Sequence, residues 1–421
     1  MPPDAIDTAN AARAAENAAR RSYGKLIAFL AARTRDVAGA EDALAEAFAI
    51  ALSIWPRDGV PQNPEAWLLT VARRREVDAL RRRLRDEDAA AYFGWLAELD
   101  ERHDTDPEVP DRRLELLFAC AHPAIDPAVR APLMLQAVLG FDAATIASAF
   151  LVAPATMSQR LVRAKTKIRQ AGIGFRVPEQ AQWPERLSAV LDAVYAAYAE
   201  GWSDGAGLDP QRRNLADEAI WLGQLVVLLM PEEPEALGLL ALMLYAHARR
   251  VARRDAAGNY VPLAEQDTRL WDAAMIDEAE GLLRRAATAR TPGRFQLEAA
   301  VQSAHCAGRR SGTPDAAAVL RLYEALDAIG RSPVAALNCA VARAAAEGPA
   351  AAWADIQKLE GDPRLAEYQP YWAARADLLA RLGRGAEAAV AYQRAIGLER
   401  DPAVRRFLEQ RAQRLGTPGG S

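Results

Sequence analysis

Residues 142–169 read DAATIASAFLVAPATMSQRLVRAKTKIR, and their spacing decides the fold class. In the second half Met157, Leu161, Ala164 and Ile168 recur at helical steps, which places them on one narrow apolar face. Thr156, Gln159, Arg160, Arg163 and Lys167 fall together on another side. Asp142 to Ala149 reads as a short helix and FLVAP as a turn that Leu151 and Val152 can plug. Ala147 is small where the two helices would cross. Pro154 suits a first helical position, although Ala153 stands where a capping Ser or Asp is expected. The pattern predicts a helix-turn-helix, whose second helix enters a DNA major groove. There Arg reads guanine, Gln reads adenine and a Thr methyl touches thymine.

The same grammar extends in both directions. Ala, Leu, Arg and Glu dominate, alternating β-branched runs are nearly missing, and Gly and Pro fall between periodic blocks, so the chain is expected to be all-α. Upstream, a helix is expected from Tyr23 to Arg33. A second follows over AGAEDALAEAFAIALSIW, with Ala40, Leu44, Ala47, Phe48 and Ala51 inward and Glu41, Asp42 and Glu46 on the wetter side. The Pro- and Gly-rich loop WPRDGVPQNP is expected to stop it. A third runs from Pro64 or Glu65 to Arg85 and ends in RRREVDALRRRLR, seven arginines against Glu76 and Asp78.

Charge divides the chain where periodicity does not. The total is only -4, but residues 1–85 carry +3, residues 86–111 carry -9, residues 112–176 carry +6 and residues 177–421 carry -4. Two basic modules therefore flank an acidic connector, and basic patches are the footprint of polyanion binding. Beyond Gly174 one spacing recurs: Tyr323 to Pro333, Trp353 to Pro363 and Tyr392 to Pro402. Trp372, Ala376, Leu379, Ala388, Tyr392 and Ala395 add the bulky and small residues of paired helices in a tetratricopeptide repeat, whose period is about 34 residues. Degenerate stacked helical hairpins are expected there.

In this order the features resemble the extracytoplasmic-function sigma factors of bacterial RNA polymerase, in the subgroup with a long helical C-terminal extension. AEDALAEAF at 40–48, NPEAWLLTVARRREVDALRR at 63–82 and the helix-turn-helix carry the resemblance, with EGW at 200–202, EPEALGLLALMLYAHARR at 233–250 and EQDTRLWD at 265–272 in the extension. The resemblance implies core polymerase binding by Asp36, Glu41, Asp42, Glu46 and Phe48. It implies capture of the minus-ten promoter element by Trp55, Asn63, Trp67, Arg73, Arg74, Arg75, Arg81 and Arg82. The minus-thirty-five element would be read by Thr156, Ser158, Gln159, Arg160, Arg163 and Lys167. The connector would thread the polymerase, holding two basic heads apart. The domains implied are 1–85, 86–111, 112–176 and a tetratricopeptide-like 177–421, the last open to a regulatory protein or peptide. The partners implied are core RNA polymerase and promoter DNA.

Other function classes find little support. Apolar residues at 51% and charged residues at 26% describe a globular chain, not a disordered one. The nearly unbroken apolar run Ala236–Ala248 is short of the about 20 residues a bilayer needs, so no membrane span is expected. The N-terminal stretch lacks an apolar leader, and a cytoplasmic location is expected. Cys120, Cys306 and Cys339 are widely spaced, which argues against disulfides and thiolate metal sites. His103, His122, His247 and His305 make no HExxH pattern. No phosphate loop or nucleophile motif is present, so no catalytic residue, cofactor or metal is assigned. Two alternatives stay open: a stand-alone helix-turn-helix regulator with a repeat-type sensor domain, and a hydrolase within the C-terminal half.

Overall fold

The computed structural model describes residues 3–83, 110–150, 152–179, 182–202, 210–330 and 332–415. Among the described residues the regular elements are helices, with one isolated antiparallel bridge between Arg254 and Tyr260, so the chain is all-α. It divides into two compact units, Met1–Glu200 and Gly201–Ser421.

The first unit holds α1 (Pro3–Thr34), α2 (Val37–Asp58), α3 (Pro64–Arg83), α4 (Arg113–Cys120), α5 (Pro127–Leu139), α6 (Ala143–Ala149), α7 (Pro154–Gln170) and most of α8 (Trp183–Trp202). The helix expected from Tyr23 starts twenty residues earlier, at Pro3. The added length is Ala-rich, a strong helix former, and it buries Ala11, Ala15 and Ala18 at helical spacing. In α2 the stripe Val37, Ala40, Leu44, Ala47, Ala51 and Trp55 is buried. That helix runs through Pro56, because a proline in the last turn removes little of the hydrogen-bond ladder; Gly59, with φ +86, then ends it.

The two basic modules are in contact, contrary to the expectation that the connector holds them apart. Helices α4 and α5 pack on α1, and α7 packs on α2. The crossing of α1 and α5 depends on Gly24, where a Cβ would stand 2.2 Å from the carbonyl oxygen of Val138. No L side chain fits that approach without moving one helix. Of the acidic connector, only Pro110 and Asp111 fall within the described residues. Helix α8 belongs with this unit too, since Arg186 Nη2 donates to the Phe118 carbonyl at 2.8 Å.

The second unit is built on α9 (Pro210–Leu229), α10 (Pro234–His247), α11 (Ala273–Ala287) and α12 (Arg294–Ser311). Residues Ala236 to Tyr245 of α10 are buried without interruption, which explains why that helix is apolar on all its sides. At its first turn the Glu235 carboxylate accepts from the backbone N–H of Phe295 at 3.0 Å and of Gln296 at 3.1 Å. It thereby caps α12 from another helix, and Gly293 makes room: a Cβ there would lie 2.3 Å from the Glu235 carboxyl carbon. The chain continues through α13 (Ala316–Gly330), α14 (Pro333–Ala346), α15 (Pro349–Lys358), α16 (Gln369–Arg381), α17 (Gly385–Leu398) and α18 (Pro402–Arg414), each packed on its neighbour in sequence. Pro333 and Pro402 open helices, whereas Pro363 lies in a turn. Ala376, Leu379, Ala388, Tyr392 and Ala395 form one buried cluster with Trp372 against it.

Candidate nucleic-acid interface

Helix α7 presents two unlike sides. Met157, Leu161, Ala164 and Ile168 are buried, while Thr156, Ser158, Gln159, Arg160, Arg163 and Lys167 are all exposed. The apolar stripe thus seats the helix and turns the candidate base-reading residues to solvent. Ala153 supplies no capping side chain and Pro154 occupies the first turn, as the sequence implies. The preceding α6 is capped instead by Asp142, whose Oδ1 accepts from the N–H groups of Ala144 and Thr145, both at 2.9 Å. Together with the Thr145 hydroxyl, these donors hold its carboxyl below the usual carboxylate range. The turn closes through Val152 N–H to the Ala147 carbonyl at 2.9 Å; Leu151 lies outside the described residues.

One edge of α7 is engaged within the chain. Lys165 is 9% exposed, and its Nζ donates to Glu41 Oε2 at 2.5 Å. One turn on, Arg169 Nη1 donates to Asp36 Oδ2 at 3.1 Å. Of the five residues expected to bind core polymerase, Asp36 and Glu41 are therefore held by α7 and Asp36 also caps α2 through Gly39 N–H at 3.1 Å. Burial pushes the Glu41 carboxyl above its ordinary value, with the Lys165 ammonium pulling the other way, and Glu41 Oε1 has no hydrogen-bond partner. Asp42 and Glu46 are exposed, Glu46 lying 3.4 Å from Arg75, and Phe48 is half-buried. Lys165 and Arg169 are not among the site residues expected from the sequence. The available signal was a lysine bordering the apolar stripe, four residues after Leu161, where a charge needs a partner.

The minus-ten candidates divide as well. Trp55 is 2% exposed and meets Trp67 edge to face at 5.4 Å, so it is a core ring and not a platform open to a base. That corrects the expectation for Trp55; the burial follows from its place on the α2 stripe, one turn after Ala51. Trp67 is half-buried. Asn63 caps α3, its Oδ1 accepting from Ala66 N–H at 3.1 Å. Arg73 lies over the Phe29 ring at 4.7 Å, Arg75 faces Glu46, and Arg74 is exposed. Arg81 and Arg82 fall on α3, with side chains outside the described residues.

Among the described residues no group of His, Cys, Asp or Glu is placed to hold a metal ion, and no helix is long and apolar enough to cross a membrane.

Comparison with known proteins places these observations. Residues 18–86, covering α2, α3 and the C-terminal half of α1, match Sigma-70 region 2. Residues 186–287 match a family of unknown function, DUF6596. An uncharacterized protein of Rhizobium meliloti (strain 1021) is 40% identical over 385 residues, which cover 89% of this chain and 90% of that protein. No solved structure matches.

Proposed function

We propose that this chain, which belongs to one family with the Rhizobium meliloti protein and carries a Sigma-70 region 2, is an RNA polymerase sigma factor of the extracytoplasmic-function type. The match at residues 18–86 is the observation that carries the reading, because Sigma-70 region 2 supports polymerase binding and promoter recognition. In this reading the protein is a dissociable, non-enzymatic subunit acting in the cytoplasm. Its α2 acids dock on core polymerase, and α3 with Trp67 and Arg74 meets the minus-ten element. Helix α7 reads the minus-thirty-five element through Thr156, Ser158, Gln159, Arg160, Arg163 and Lys167. The exposed row on α7 supports the last assignment, since exposed Arg and Gln on a groove-sized helix are what direct readout uses.

Promoter-dependent run-off transcription with purified core polymerase tests the proposal. Transcripts are expected only when the protein is added; identical transcription without it rejects the assignment. The exposed α7 row also suits a stand-alone helix-turn-helix regulator, so a mobility shift with and without core enzyme separates the two. A sigma factor shifts promoter DNA tightly only with core, a stand-alone regulator without it.

For the second unit we propose a regulatory, tetratricopeptide-like scaffold that receives a protein or peptide. Consecutive packed helices and an open cavity of about 290 Å³ lined by Tyr260, Arg381, Tyr392, Phe407 and Arg411 support it. A deletion that probes this role belongs after Trp202, because cutting at Arg176 strips α8 and its Arg186 contact from the first unit. Promoter activity in cells is expected to change; unaltered activity rejects the regulatory role.

A further inference from the structure

We propose that the cavity in the second unit between the α10–α11 connection and helices α14, α16, α17 and α18 is a binding site for a small amphipathic acid, one carboxylate on a compact aromatic or similarly apolar body. The inference rests on the receiving role proposed for the second unit only for its regulatory meaning; the binding itself does not depend on it.

Residues 248–272, which join α10 to α11, form a far longer connection than the about 2–8 residues usual between packed helices. Connections of that length inside a compact unit are commonly functional. This one reaches α18: Arg254 pairs with Asp401, and the Tyr260 ring meets Phe407 edge to face at 5.4 Å. Tyr260 and Pro262 thereby wall a cavity of about 290 Å³ whose other sides come from α14, α16, α17 and α18. Ligand pockets span about 300–1,000 Å³, so this volume suits a compact molecule and not a length of chain. Ala344, Ala373 and Ala374 leave the space that larger side chains would take.

The lining combines rings with an unequal set of charges. Tyr260, Tyr392 and Phe407 supply the rings, and Val341 is 45% exposed beside them. Asp377 lies between two guanidiniums, Arg381 at 3.8 Å and Arg411 at 3.7 Å. Both separations exceed hydrogen-bond length, about 2.7–3.2 Å, so two cations share one carboxylate loosely and the lining keeps a positive charge in excess. Arg381 already donates to the Ala344 carbonyl at 2.9 Å. Arg411 instead lies over the Phe407 ring at 5.4 Å, which holds its position without a hydrogen bond among the described residues. A donor fork left unspent beside an aromatic ring matches a carboxylate attached to an apolar body. A cationic ligand would meet the same excess charge as repulsion.

Calorimetric titration of the full chain with naphthaleneacetate and with its neutral amide, naphthaleneacetamide, tests the site, because the two share rings and shape and differ in charge. The acid is expected to bind about tenfold tighter, the difference of one charge-assisted hydrogen bond. Arg411 is exposed, so Arg411→Gln is a mild change to the fold. In that variant the preference is expected to vanish while the amide binds as it does to the parent chain. In Ala373→Leu both ligands are expected to bind too weakly to measure. Hydrogen exchange in the parent chain locates the site without any variant: bound acid is expected to slow exchange in residues 254–261 and 402–414. No binding of the acid, equal affinity for acid and amide, an acid preference that survives Arg411→Gln, or protection that spares both segments overturns the inference. A deletion after Trp202 that changes promoter activity, in a chain that binds no acid, overturns the cavity inference and leaves the regulatory reading standing. Acid binding in a chain whose deletion has no effect upholds the site and removes the regulatory reading.

Discussion

Glu41 and Glu235 each tie together helices distant in sequence, one in each unit, but they do so with different kinds of partner. Glu41 meets the ammonium of Lys165, a side chain on a neighbouring module. Glu235 meets the backbone N–H groups of Phe295 and Gln296 and the Gln296 side-chain amide at 3.2 Å. A cation can be supplied equally well by another molecule, so a contact of the first kind is exchangeable. The first N–H groups of a helix have no other protein donor-acceptor match at hand, and a carboxylate fixed on them also answers the positive end of the helix dipole. The second kind of contact is therefore a permanent joint. The difference teaches which interface is fixed by backbone donors and which rests on side-chain charge alone.

The largest effect is expected at the permanent joint. Replacing Glu235→Ala leaves two backbone donors of α12 and the Gln296 amide without their acceptor in a half-buried place, where hydrogen bonds to a charged group contribute about 1.5–3 kcal/mol each and water recovers part of that. A loss of about 3 kcal/mol in the urea unfolding of the full chain is expected, with faster hydrogen exchange concentrated in residues 294–311. Glu235→Gln keeps an acceptor oxygen but loses the charge, so it should recover part of that loss. A Glu235→Ala chain within about 0.5 kcal/mol of the parent, the usual range for a surface change, breaks the comparison.

How much of this was visible in the sequence follows the same division between local and distant causes. The α7 stripe from Met157 to Ile168 and the inward α2 positions were legible because period is a local property: side chains three and four apart must share a face. The apolar run of α10 was legible only as too short for a membrane span; its burial on all sides is seen in the structure. Trp55 is assigned to the minus-ten element only through the family resemblance; counted from Ala51, it falls on the buried stripe. The pairing of Lys165 with Glu41 spans 124 positions and has no periodic signature at all. The contact of the basic modules likewise turns on the missing Cβ of Gly24, and one glycine in an otherwise ordinary helix announces nothing about what approaches it. Net charge pointed the wrong way: two positive modules repel at long range, but the four side chains that meet at their junction are two acids and two bases.

The exchangeable contact should respond less to mutation and more to conditions, and its two ion pairs should differ from each other. Lys165→Ala strands a buried carboxylate, with an expected cost of about 2 kcal/mol at pH 7, read as faster hydrogen exchange across residues 37–58. Burial already raises the folded-state pKa of Glu41 above its unfolded value, and loss of the ammonium raises it further. A raised carboxyl binds its proton more readily in the folded chain, so the cost is fully present above that raised value and shrinks as pH falls through it. Adding Glu41→Ala to Lys165→Ala removes the stranded charge and should restore most of the protection, which a double-mutant cycle measures. A cost that stays constant from pH 7 to pH 4 removes Glu41 as its source. The smallest effect is expected at the neighbouring pair, because the Arg169 side chain is 47% exposed and water already screens it. Arg169→Ala should cost about 0.5 kcal/mol at low salt and nothing measurable at 1 M salt, where the screening length falls to about 3 Å. A salt-independent loss at Arg169 as large as that at Lys165 means that the outer pair is as dry as the inner one, and the contact of α7 with α2 is then a joint of the permanent kind.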